Sequence, residues 1–332
     1  MNAFRIVGYA VLHLLPRAAL ERWLRRRLSR PGYVYSPRFS GRVALFELAA
    51  TLRRDARAPV ALFPDYVCNI VPRALTEAGW QIEPYNCDER LEPDWDKLFA
   101  RIEHGDTGLL VGASVFGSSG LLDGLAEHEK LARLRNLGVK VIADLAQDIR
   151  LASKLPDAGN DVISAIVSFN DKSFPGAMGG GILAKNNFTT PERKLDMRNC
   201  IFLYKKIILP NIRPRKRRRE IKKNAFDYSL CKTFPHRFGD NYILSKLQLV
   251  CAVQGLLMLP WYEARKQRFL DRHDYLETRF ASTAAYLMAS RSDETAGSGR
   301  KTKRPYAIEQ RPEASLRPDD LILHNKGFDD HA

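Results

Sequence analysis

Val141-Ile142-Ala143-Asp144-Leu145-Ala146-Gln147 and, further along, Ser168-Phe169-Asn170-Asp171-Lys172 closing on Gly179-Gly180-Gly181 are the stretches that decide the fold. The first puts a carboxylate at the end of an apolar strand. The second puts a lysine in a turn between a strand and a glycine-rich segment. Outward from them, strands are predicted at Val60–Phe63, Gln81–Tyr85, Gly108–Val115, Val139–Ala143 and Val162–Val167. Helices are predicted from Asn69 to Ala78, after the Leu91–Trp95 stretch, and as one unit from Leu125 to Leu137. Gly79 and Gly138 stand where helix C-caps belong. Alternating strands and helices with near-continuous apolar strands predict an α/β fold, a mostly parallel sheet covered on both faces. Ligands in such sheets sit beyond the carboxyl ends of the strands, where Asp144, Ser168 and Lys172 fall.

Upstream, Ser40-Gly41-Arg42 precedes Val43-Ala44-Leu45-Phe46-Glu47-Leu48, whose apolar spacing continues to Leu52. Ser40 reads as an N-cap, and a helix start with unpaired amides, beside Arg42, is a seat for a phosphate. A lysine amine and a carboxylate at one sheet edge are the pair that pyridoxal phosphate (PLP) chemistry needs. The lysine forms the imine, and the carboxylate keeps the pyridine nitrogen protonated. Each residue alone has a plainer reading: Lys172 as a surface charge, Asp144 as a cap or ion-pair partner, Ser168 as a turn cap. Gly179–Gly181 can be a flexible loop, and Tyr66 can be core.

The chain has 332 residues, a net charge of +15, 45% hydrophobic and 27% charged residues, long enough for a large core. Charge concentrates at Arg22–Arg30 and Arg213–Lys223, read as solvated faces or as sites for anionic partners. No reading helix or interleaved aromatics accompany them, so nucleic acid is not expected. Five cysteines without CxxC spacing argue against a disulfide framework or zinc site and for a reducing, cytoplasmic setting. Seven histidines form no HxxxH or HExxH pattern, so no metal site is expected. Phe4–Leu15 is apolar but too short to span a bilayer. Ala18–Leu28 carries Leu20, Trp23, Leu24 and Leu28 at helical spacing among arginines. Residues 1–30 therefore form a basic amphipathic segment that can lie on a membrane surface or pack on its own domain or a partner.

Taken together, the motifs resemble those of the DegT/DnrJ/EryC1/StrS sugar aminotransferases, within the fold-type-I PLP-dependent enzymes. The resemblance covers roughly 39–276. It is carried by Ser40-Gly41-Arg42-Val43-Ala44-Leu45, Pro64-Asp65-Tyr66-Val67-Cys68 with Ala74, Ala78 and Gly79, and Phe116-Gly117 with Asp123. Asp144-Leu145-Ala146-Gln147, Ser168-Phe169 with Lys172 and Gly179-Gly180, and Gly239-Asp240-Asn241-Tyr242 with Gln248 complete it. The resemblance implies that Lys172 holds PLP and moves the substrate proton, and that Asp144 pairs with the pyridinium nitrogen. It implies Gln147 against the ring, Gly41, Arg42 and Ser168 on the phosphate, and Asn241 reaching a partner's site in a homodimer. Cys68 falls where an aromatic often stacks on the ring, Ser114 where His is common, and Ile243 where Arg is usual. Only Asn170 and Asp171 separate Phe169 from Lys172, one fewer than the family usually has.

Four regions are expected: the basic segment 1–30, a large PLP-binding domain over 31–255, a long helix with the remnant of a truncated small C-terminal domain over 256–290, and a disordered tail over 291–332. The implied activity is transfer of an amino group from an amino acid, glutamate by analogy, to a keto-sugar on a nucleotide diphosphate, for polysaccharide or glycoconjugate synthesis. The competing reading is a non-catalytic relative serving as a binding or regulatory subunit, which the shortened lysine turn and C-terminus favour.

Overall fold

The structure, a computed structural model, describes residues 8, 10–88, 91–115, 118–156, 161–169, 179–188, 200 and 242–272. Lys172, Asn241, the Phe116-Gly117 pair, the Arg213–Lys223 run and everything after 272 lie outside the described residues.

In chain order the elements are α1 (Arg17–Leu28), β1 (Val34–Arg38), α2 (Gly41–Asp55), β2 (Val60–Pro64), α3 (Ile70–Glu77), β3 (Gln81–Tyr85) and α4 (Trp95–Ile102). There follow β4 (Thr107–Ala113), α5 (Gly120–Ala126), α6 (His128–Asn136), β5 (Lys140–Leu145), a 3₁₀ turn (Ile149–Lys154), β6 (Ile163–Ser168), β7 (Gly180–Ala184) and α7 (Lys246–Arg272). The strands make one seven-stranded sheet in the order β1-β7-β6-β5-β4-β2-β3. The pairings β2–β3, β2–β4, β4–β5 and β5–β6 are parallel, and β7 runs antiparallel to both β6 and β1.

Side chains alternate between sheet faces, and this divides the core in two. Val141, Ala143 and Leu145 join Leu110, Ala165 and Val167 under α1, α4, α5, α6 and α7. Ile142 joins Leu109, Val111, Ile166 and Ile182 under α2 and α3. The same alternation assigns Asp144 and Ser168 to the α2 face. Leu20, Leu24 and Leu28, one stripe of α1, are buried in the first of these clusters, so this amphipathic helix packs its apolar face on its own domain. Ahead of it, Val11, Leu14 and Leu15 are exposed.

The single helix expected over Leu125–Leu137 is two helices, broken where Glu127 is extended (ψ 113°). Leu125 and Leu131 would point roughly 120° apart on one continuous helix at 100° per residue. A bend brings both onto the sheet, where both are buried. The flexible-loop reading of Gly179–Gly181 also gives way, because Gly180 and Gly181 open β7.

Candidate functional site

The glycine run is dictated by what surrounds it. A side-chain carbon on Gly180 would lie 2.4 Å from the Val167 carbonyl oxygen and 2.7 Å from the Gly41 nitrogen. On Gly181 it would lie 2.2 Å from the Tyr35 ring. Gly179 takes φ +139°, a value L side chains rarely adopt, and its carbonyl accepts from the Phe169 amide at 2.9 Å. The buried Tyr35 hydroxyl donates to the Gly180 carbonyl at 2.7 Å. Burial pushes that phenol well above its ordinary pKa and keeps it a neutral donor.

One rung of the sheet gathers the predicted phosphate seat. Ser168 pairs with Gly180, and Gly180 with Arg38. Three residues after Arg38, α2 starts at Gly41, with Ser40 accepting a hydrogen bond from the Val43 amide at 3.2 Å as its N-cap. A side-chain carbon on Gly41 would lie 2.8 Å from the Ser168 β-carbon and 3.1 Å from its hydroxyl. The Ser168 hydroxyl therefore sits against the first residue of a helix, where the helix dipole favours an anion. Arg42, the next residue, is half-buried. Arg38, fully buried, is fixed by a bidentate pair with Glu47 of α2 and donates to the Pro37 carbonyl.

Asp144 is the penultimate residue of β5, the central strand, and is level with Ala113 on one side and Ile166 on the other. It is half-buried, and one carboxylate oxygen accepts from the Ala146 amide at 2.9 Å. Its carbonyl accepts from the Ser114 amide at 2.9 Å, which brings the buried Ser114 beside it. Gln147 lies half-buried three residues on. Cys68 is half-buried on the segment after β2, at the same carboxyl edge but with β4 between its strand and β5. Its Sγ makes a weak contact with Asn69 Oδ1 at 4.0 Å, and its carbonyl accepts from the Val71 amide at 2.9 Å.

Gln248, which the sequence marks only as part of a motif and without a role, clasps this seat. Gln248 is fully buried, and its Nε2 donates to the Phe39 carbonyl at 3.2 Å. Its Oε1 accepts from the Ser245 amide at 2.9 Å, and Ser245 Oγ accepts from the Gln248 amide at 3.2 Å. Ser-x-x-Gln before an apolar run is a capping box, so the local half of this arrangement is visible in the sequence. Tyr242 adds an edge-on contact to the Phe39 ring, with centroids 5.8 Å apart.

Among the described residues no group of three or more His, Cys, Asp or Glu could hold a metal ion, and no helix is long and apolar enough to cross a membrane.

No protein-family model matches the chain, and no curated protein matches it. Solved structures do. A Bacillus cereus protein described as a PLP-dependent aminotransferase superposes with a TM-score of 0.51 at 16% identity, over 82% of this chain and 69% of its own. Spr1654 of Streptococcus pneumoniae, described as a sugar aminotransferase and solved in its PMP form, gives 0.51 at 14% identity, over 82% and 69%. Helicobacter pylori PseC, an aminotransferase involved in the biosynthesis of pseudoaminic acid, gives 0.50 at 13% identity, over 79% and 65%. The chain has the fold of the PLP-dependent aminotransferases.

Proposed function

We propose that this chain is a PLP-dependent aminotransferase that moves an amino group from an amino acid, glutamate first, to a keto-sugar carried on a nucleotide diphosphate. The observation that carries the reading is the convergence at one sheet edge of Gly41, Ser168 and Gly180, packed too closely for an added methyl, beside the half-buried Asp144. A backbone cradle at a helix start, with a serine hydroxyl and Arg42, fits a phosphate. A carboxylate on the central strand fits a protonated pyridine. When bound, PLP supplies an electron sink for the carbanion formed at the substrate's amine-bearing carbon.

In this reading Gly41, Arg42 and Ser168 hold the phosphate. Asp144, oriented by the Ala146 amide, keeps the ring nitrogen protonated, and Gln147 and Cys68 lie against the ring. Lys172 supplies the amine that anchors the cofactor and carries the proton during transfer, and Asn241 reaches the partner's site in a homodimer. The division into 1–30, 31–255, 256–290 and 291–332, and a role in polysaccharide or glycoconjugate synthesis, belong to the same reading. Contact with an anionic membrane surface is supported by exposed Val11, Leu14 and Leu15 ahead of the exposed Arg22, Arg26 and Arg27. Sedimentation with anionic but not neutral vesicles is the expected result.

The test is the visible absorption spectrum with added PLP. The wild type should show a band that glutamate bleaches, and Lys172→Ala should lack it. A band indifferent to glutamate would favour the non-catalytic relative, and no band would remove the cofactor reading altogether. Asp144→Asn retains an acceptor for the Ala146 amide, so stability should stay within about 0.5 kcal/mol. Its glutamate half-reaction should slow about a hundredfold or more in single-turnover kinetics.

A further inference from the structure

The Phe39-Ser40-Gly41 turn, which delivers the helix start to Ser168 and Gly180, is held from two directions. Locally, Arg38 pairs with Glu47 and ties the end of β1 to α2. From far along the chain, Gln248 reaches the Phe39 carbonyl across 209 residues. Leu244 adds a contact on the other side of the seat: a side-chain carbon on Gly179 would lie 3.0 Å from it. Leu244, just before α7, and Gln248, in its first turn, therefore bridge both halves of the cradle, the turn before α2 and the glycines opening β7. Gln248 has no exposed surface, and both ends of its amide are used, one on its own helix cap and one on the cradle. A helix cap needs only the Oε1 half of that arrangement.

We infer that Gln248 is a positioning residue, whose Nε2 donor fixes the Phe39–Gly41 turn in the geometry that receives the cofactor's phosphate. The inference rests on the PLP reading above. It does not place Gln248 in contact with the cofactor. Loss of the donor removes the tie that joins the Phe39 carbonyl to α7, and movement of Phe39 shifts the Gly41 amide relative to Ser168.

The signature of this role is a phosphate-specific loss. Binding of PLP and of pyridoxal, which lacks the phosphate, is measured by absorbance titration for the wild type, Gln248→Met and Ser245→Ala. Gln248→Met should weaken PLP about tenfold and leave pyridoxal unchanged. Ser245→Ala removes the hydroxyl of the same cap but keeps the tie to Phe39. It should lower the thermal midpoint without changing the ratio of the two affinities. Gln248→Asn, one methylene short of the Phe39 carbonyl, should give the same split at smaller size if Gln248→Met does not fold. Equal weakening of PLP and pyridoxal, or an unchanged ratio in a wild type that binds PLP, overturns the positioning role alone. A wild type that binds neither overturns the cofactor reading and this inference with it.

Discussion

The two edges of the sheet each carry an arginine bound to acidic side chains, and the two are built oppositely. At the β1 edge Arg38 is fully buried and paired with Glu47, itself 23% exposed, beside the proposed phosphate seat. At the β3 edge Arg101 of α4, 26% exposed, joins Glu83 and Asp106, which are 43% and 48% exposed. β1 is buried along most of its length and β3 is mostly exposed. One edge holds backbone in register by packing that admits no added atom. The other is laced by charges that water screens.

The largest effect should follow from breaking the sealed pair. Glu47→Ala takes the carboxylate from a buried guanidinium and should cost about 3–5 kcal/mol, read as a shift in the urea midpoint. The double change Arg38→Met with Glu47→Leu should recover most of it, because the charge that needs a partner is gone. If the single change costs less than the Arg101 variant below, the contrast between the edges is wrong.

Next in size is Gly180→Ala, which places a methyl against Val167 and Gly41. Overpacking of this kind costs about 1–3 kcal/mol, and here it should also weaken PLP binding. Normal PLP affinity in that variant would mean that the seat does not depend on the close approach of β7 and α2.

The smallest effect belongs to the open edge. Arg101→Met should cost about 1 kcal/mol or less. Arg101 holds both Glu83 and Asp106 below their ordinary pKa through hydrogen bonds. Carboxylates depressed in the folded state stabilise it above their unfolded pKa, and that contribution is lost as pH falls through their folded values. Wild-type stability should therefore fall below about pH 4 more steeply than that of Arg101→Met, in unfolding curves taken across that range.

The central strands were legible because their apolar runs are continuous and their ends are marked by Asp144 and Ser168. Ser40 was legible as a cap because the helix follows it at once. β1 and β7 were not. Pro37 and Ser36 in one, and glycines opening the other, have poor strand propensity, and only their mutual pairing makes them strands. The bend at Glu127 was hidden because Leu125 and Leu131 each fit a helical pattern alone. The Gln248 tie joins residues 209 apart, which no local pattern encodes. Lys172 and Asn241 rest on motif alone.

The clasp on the seat also orders events in time. The Tyr35–Gly180 bond closes a span of 145 residues, and the Gln248–Phe39 bond one of 209. Closing such spans costs entropy before any contact repays it, so assemblies of distant segments form late and slowly. The parallel core from β2 to β6 joins near neighbours and is expected to form first, with β1 following once β7 is in place and the turn before α2 once α7 is. If the proposed seat holds a phosphate, affinity for a phosphate-bearing ligand should be acquired near the end of folding, and the binding rate after dilution from denaturant would report when these distant segments have met.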